Sequence, residues 1–210
     1  MNTFLSIFYC TLISITCVYV TPGDTTNEWK LLTQNERLKV YTRITTKSPI
    51  KEVKIVGTIA ANRESLIKAL NEVEKYKIWI YKCLESERLY EVNPDEYFYY
   101  TLTDLPFPLD DRDLVVHSRQ WFDQEGNWIS RSSALPTYIP ECDHAVRVKM
   151  FESRWKIKSL GKKECHIDYF IGMDPGINLP PWIINLGITI GPIRTFEDLE
   201  KRSIELMKGG

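Results

Sequence analysis

Few residues in this chain have the types and spacing that chemistry needs. Cys165 and His166 are adjacent in a segment that alternates as a strand. Neighbours in a strand point to opposite faces, so they cannot act as a nucleophile and its base. Cys142-Asp143-His144 places metal-binding residue types side by side. They fall in a loop, and no further ligands stand at the spacing a closed metal site needs. The chain has no Gly-x-Ser-x-Gly elbow and no glycine-rich phosphate loop. The expectation is therefore no catalytic residue, no metal and no cofactor. The alternatives are an interaction module with a filled cavity and an enzyme of the cyclase or hydrolase kind. The enzyme would need His117 or His166 inside a cavity beside a carboxylate.

Candidates for binding are better placed. Arg112 lies among Asp110, Asp111 and Asp113 where a strand begins. On a cavity wall its fork of donors would hold a carboxylate, phosphate or hydroxyl. The competing role is an ion pair with one of those aspartates. Tyr97-Phe98-Tyr99-Tyr100 also lies on a strand, so alternate members share a face, and Tyr97 with Tyr99 makes the candidate inner pair. Trp79 and Trp155 are further apolar candidates. Trp182, Ile183, Leu186 and Ile190 fall on one stripe of the last helical segment, as cavity floor or as ordinary core. The segment from Val146 to Lys158 alternates apolar with basic residues. That pattern gives a solvated outer face, or a strip that meets anionic headgroups.

The elements that must position these residues follow from periodicity. Glu28–Asn35 reads as a short helix. Leu38–Thr45 and Val53–Ala61 read as strands, with a turn at Ser48-Pro49. Asn62 caps a helix bearing Leu66, Ile67, Leu70 and Val73, and Tyr76–Tyr81 makes a second short one. The period then changes to two. Strands are expected at Leu84–Val92, Tyr97–Thr103, Leu114–Phe122, Trp128–Ala134, Ala145–Lys158 and Glu164–Met173. Asn93-Pro94-Asp95 and Gly126-Asn127 supply hairpin turns. Pro181–Met207 is the closing helix, interrupted near Gly187 and Gly191-Pro192. A long antiparallel run must bury one face, and only that last helix is long enough to cover it. The fold class is α+β.

Composition sets the outer limits. The 210 residues are 43% hydrophobic and 26% charged, with a formal net charge of −1. Such a chain builds one real core and lacks the basic surface that nucleic acid requires. Residues 1–21 carry no charge, and the run from Phe4 to Val20 has the character of an export signal, cleaved or lipidated at Cys17. An uncleaved anchor and a buried N-terminal element in a cytosolic protein are the alternatives. Residues 22–27 form a linker, and 28–210 the domain. Beyond the signal lie Cys83, Cys142 and Cys165, an odd number that excludes a full disulfide framework. A single Cys142–Cys165 bridge is the alternative to free thiols.

The order of elements carries several specific pieces. They are Tyr76 with Trp79, Phe107-Pro108-Leu109 followed by Arg112-Asp113, and Asp174-Pro175-Gly176. Further on come Pro180 with Trp182 and Asn185, then Pro192 followed by Thr195. In this order, from Glu28 to Met207, the chain resembles the START lipid-transfer family of the helix-grip superfamily, and most of all its bacterial members. The resemblance implies a curved antiparallel sheet wrapped around a long C-terminal helix, with an internal apolar cavity. It implies binding, and transfer, of a lipid or other apolar small molecule, with transient membrane contact. In the family's sterol carriers a buried acid and arginine occupy the positions of Tyr99 and Ser118, which sets this chain apart from them.

Overall fold

Among the described residues, alternating apolar and polar side chains generate ten strands, and the helices cover one face of the sheet they form. The structure is a computed structural model, and it describes residues 27–46, 48–176, 184 and 190–209. The elements are β1 (Lys30–Gln34), β2 (Leu38–Thr45), β3 (Ser48–Ile59), α1 (Arg63–Asn71), α2 (Tyr76–Trp79), β4 (Cys83–Asn93), β5 (Glu96–Thr103), β6 (Asp111–Phe122), β7 (Trp128–Ala134), β8 (Ala145–Arg147), β9 (Met150–Ser159), β10 (Cys165–Asp174) and α3 (Ile190–Lys208). A 3₁₀ turn, Val73–Lys75, joins α1 to α2. The strand order is β1-β2-β3-β10-β9-β7-β6-β5-β4, antiparallel along that path, and β8 pairs parallel to β6. The result is an α+β fold, a curved antiparallel sheet with a C-terminal helix.

Local chemistry explains the boundaries. The Asn62 side chain accepts from the Ser65 amide at 2.8 Å and starts α1. Asp123 accepts from the Glu125 and Asn127 amides at 3.0 and 2.9 Å, and Gly126, at φ 76°, completes the β6–β7 turn. Gly57 allows a close crossing, since a β-carbon there would lie 2.1 Å from the Arg37 carbonyl oxygen. The core is continuous from Ile55 and Ile59 on β3, through Ile157 and Ile167, to Leu66 on α1 and Phe196 and Leu199 on α3.

The C-terminal half of α3 is tied down at several points. Glu200 accepts both guanidinium nitrogens of Arg37, at 2.7 and 2.9 Å, and the Ala60 amide at 2.9 Å. Arg202 pairs with Glu72 at 2.8 Å. Pro192 lies in the first described turn of α3.

Three expectations need correction. Glu28–Asn35 is no helix. Asn35 turns the chain by accepting from the amides of Arg37 and Leu38 at 2.9 and 2.7 Å, and β1 pairs with β2. Trp29 is held by Arg43 and Lys54, 4.4 and 4.7 Å from its ring centre. Ser48-Pro49 lies within β3 and not in a turn. Ala145–Lys158 divides into β8 and β9, because the Val148 amide turns to the Asp113 carbonyl at 2.9 Å. Residues 1–26 lie outside the described residues, as do Trp182, Ile183, Leu186 and Gly187.

Candidate functional site

Register across the sheet arranges the inner face in transverse rows. One row runs Tyr97 (β5), Ser118 (β6), Ser132 (β7), Ser153 (β9), Ile171 (β10), Val53 (β3) and Thr42 (β2). The next runs Gln120, Ser130, Trp155, Tyr169, Ile55 and Val40. Serine thus occupies inward positions on three adjacent strands, where residues of strand propensity would be bulkier. Ser118, Ser130 and Ser153 are buried, and Ser132 is half-buried. The Ser132 hydroxyl donates to Ser118 at 3.0 Å.

Aromatic side chains frame these rows. Tyr97, buried, donates to the Asn71 side-chain oxygen at 3.2 Å, and the Arg88 guanidinium lies 4.2 Å from its ring centre. Tyr99, also buried, meets Tyr76 edge-on at 5.6 Å and Tyr97 at 6.0 Å. Tyr76 donates to the Leu70 carbonyl at 2.6 Å. Trp155 stacks on Tyr169 at 4.1 Å and faces Phe196 at 6.3 Å. Trp79 packs on Tyr76 at 5.1 Å, and its buried indole N–H has no hydrogen-bond partner among the described residues. Burial raises the pKa of Tyr76, Tyr97, Tyr99 and Tyr169, so all four stay neutral phenols across the physiological range.

Arg112 turns its donors to backbone carbonyls and not to the side chains of the neighbouring aspartates. Its Nε donates to the Pro175 carbonyl at 2.5 Å, and its Nη1 to the carbonyls of Asp110 and Asp111 at 2.5 and 3.2 Å. It ties the start of β6 to the end of β10, and burial lowers its pKa. Ile190, at the start of α3, is 49% exposed and lies off the buried line of Phe196, Leu199 and Ser203. Trp79, Tyr97, Tyr99 and Trp155 belong to one buried cluster.

The outer face carries other chemistry. Arg147 is not a solvated residue of a basic strip but a buried one. Its Nε and Nη2 reach Asp113 at 2.9 and 2.7 Å, and its remaining donors reach the carbonyls of Pro136, Ile139 and Pro140. His117 bonds to Glu96 at 2.8 Å, within a stack of Phe98 between His117 and Tyr138. Cys165 is buried on the inner face, while His166 is half-buried on the other. Cys83, Cys142 and Cys165 are free thiols. Among the described residues no three His, Cys, Asp or Glu side chains converge as a metal site would. The serine rows escaped the sequence reading. Their signal was serine at inward parity, and only the pairing register turns that into a continuous band.

Comparison with known proteins adds four findings. Residues 18–198 match the model of a family described as START domain. An uncharacterized protein of Pseudomonas aeruginosa is 28% identical over 172 residues, covering 82% of this chain and 85% of that protein. The phosphatidylcholine transfer protein of Homo sapiens is 24% identical over 186 residues, covering 86% of each. Among solved structures, a STAR-related lipid transfer protein from Xanthomonas axonopodis superposes with a TM-score of 0.76 at 24% identity, covering 83% of this chain and 98% of that one, a likeness of fold.

Proposed function

The chain belongs to the START domain family, and from that premise we propose that it binds a lipid against the inner face of its sheet and carries it between membranes. The observation that carries this reading is the inner face itself. Its central rows join apolar side chains to neutral hydroxyls, with Glu91 opposite Tyr97 and Lys30 opposite Thr42 at the ends of the first. Covering on the order of 500 Å² of acyl chain releases about 12 kcal/mol gross at roughly 25 cal/mol per Å². That retains a ligand without covalent chemistry.

Catalysis has no part in this reading. The enzyme alternative needs a histidine and a carboxylate together on the inner face. The His117–Glu96 pair lies on the outer one, stacked against Phe98. Membrane contact in this proposal falls to the loop between β5 and β6. Phe107, between Pro106 and Pro108, is 96% exposed, and a side chain of that size in water gains by entering lipid. We also read the uncharged run from Phe4 to Val20 as an export signal, with the mature chain beginning between Cys17 and Thr25.

Native mass spectrometry of protein purified from its own host tests the reading directly. The expected result is one retained lipid per chain. In a vesicle-to-vesicle assay Phe107→Asp should slow transfer severalfold with folding intact. Protein that arrives empty and stays empty with every lipid offered overturns the proposal.

A further inference from the structure

The outer face of the sheet carries a transverse row of its own. Arg119 (β6), Arg131 (β7) and Arg154 (β9) stand opposite one another on three adjacent strands. Like charges directly opposite across strands destabilise a sheet. All three side chains are exposed. Arg119 meets Glu96 at 2.7 Å, but neither Arg131 nor Arg154 has an ion-pair partner among the described residues. The next row sets Trp121, Ile129, Lys156 and Asp168 beside them. Together these side chains line a groove of about 360 Å³. Ile129 is buried there, Trp121 is exposed, and the Arg131 guanidinium lies 5.5 Å from the Trp121 ring centre.

We propose that this groove docks a protein partner through an extended acidic segment with an apolar side chain among its carboxylates. Charge complementarity carries the choice. Lys156 is already answered by Asp123 and Glu125 at 3.4 and 3.6 Å, so the open charge belongs to Arg131 and Arg154. A guanidinium fork matches a carboxylate in geometry, and carboxylates laid across the row relieve the repulsion between the arginines. Trp121 and Ile129 offer the apolar contact, and tryptophan and arginine are the residue types that carry most binding energy in interfaces. The buried Oδ1 of Asp168 has no hydrogen-bond partner among the described residues, and a backbone amide of the segment would supply one. An anionic bilayer is the competing occupant, and the position of the row disfavours it. Arg119 stands roughly 25 Å along β6 from Asp111, where the loop bearing Phe107 ends, at about 3.3 Å per residue. A chain seated on lipid through Phe107 keeps the row beyond the reach of headgroup charge, which salt screens over about 8 Å.

Full-length protein is titrated by fluorescence anisotropy with a short labelled peptide of alternating glutamate and leucine, and with its lysine–leucine counterpart. The acidic peptide should bind at least tenfold more tightly than the basic one. Arg131→Gln combined with Arg154→Gln should weaken that binding at least fivefold. The same variant should unfold at an equal or higher temperature, because a repulsion has been removed. Arg131→Lys combined with Arg154→Lys keeps the charge without the fork and should restore only part of the binding. Equal binding of the two peptides, or acidic-peptide binding that the glutamine variant leaves unchanged, overturns the proposal. If the glutamine variant loses sedimentation with phosphatidylglycerol vesicles, the row is a membrane contact and the proposal falls as well. Lipid retention by that variant should match the parent, which keeps this test separate from the carrier reading.

Discussion

Strand β6 buries polar groups on both of its faces and does so in opposite ways. On the outer face the Asp113 and Arg147 side chains are 0% and 1% exposed, and Arg147 spends its donors on that carboxylate and on three carbonyls of the segment from Pro136 to Pro140. On the inner face Ser118 shares one hydrogen bond with Ser132, and the row continues to Tyr97 and Ser153 without a charge. The outer cluster is ionic, with Asp113 Oδ2 taking two donors of Arg147 while its buried Oδ1 has no hydrogen-bond partner among the described residues. It pins a connecting segment, and Asp113 raises the Arg147 pKa through its hydrogen bond. The inner one is neutral and keeps hydroxyls that can change partners. A buried ion pair demands fixed partners, because either charge alone is costly. A wall that must accept and release a ligand is better made of groups with no such demand.

That contrast breaks first at Arg147. Arg147→Met leaves Asp113 buried without its counter-charge and should lower unfolding free energy by about 3–5 kcal/mol. Asp113→Leu combined with Arg147→Met should lose clearly less than the two single variants added together. Urea unfolding of the four proteins measures this, and strict additivity would show that the pair is not coupled.

An intermediate effect is expected at alkaline pH. Burial pushes the Cys165 thiol up to about 11, from a usual value near 8.5. A raised acid keeps its proton longer in the folded chain than in the unfolded one. Its contribution to stability is therefore complete below about pH 8.5 and falls as pH rises toward 11. The raised phenols of Tyr97, Tyr99 and Tyr169 act in the same direction at higher pH. Cys165→Ala should flatten the first part of the decline. Stability that stays level from pH 8 to 11 would contradict the buried, neutral character of the inner face.

The smallest stability change should accompany the clearest functional one. Ser132→Val exchanges a half-buried hydroxyl for two methyl groups in the serine row. It should shift unfolding free energy by less than about 1 kcal/mol, since apolar burial offsets the lost hydrogen bond. It should also reduce bound lipid severalfold by filling the recess. A variant that binds lipid as well as the parent would place the ligand elsewhere.

Much of the fold was legible without coordinates. Strict alternation fixed most strands of β2 through β10, Asn62 announced α1, and Asn93-Pro94-Asp95 and Gly126-Asn127 announced two hairpins. Each is a local effect of period, cap or turn. Glu28–Asn35 was misread because leucines at Leu31 and Leu32 suit a helix as well as a strand, and β2 decided between them by offering a pairing edge. Arg147 was misread for a related reason. Alternation gives the side of the sheet but not what covers it, and the segment from Pro136 to Pro140 folds over that side.

The sequence by itself determined the class of the chain, the order of most of its elements after β1 and the burial of Trp79, Tyr97, Tyr99 and Trp155, because these follow from residue type and period along a line. Tertiary structure alone decided which aspartate meets which arginine, and that Arg112 would close on carbonyls. It also decided that serines from three strands distant in sequence, Ser118, Ser132 and Ser153, would stand side by side. Those are matters of register between strands, and register is set by the packing of the whole sheet and not by any one of its segments.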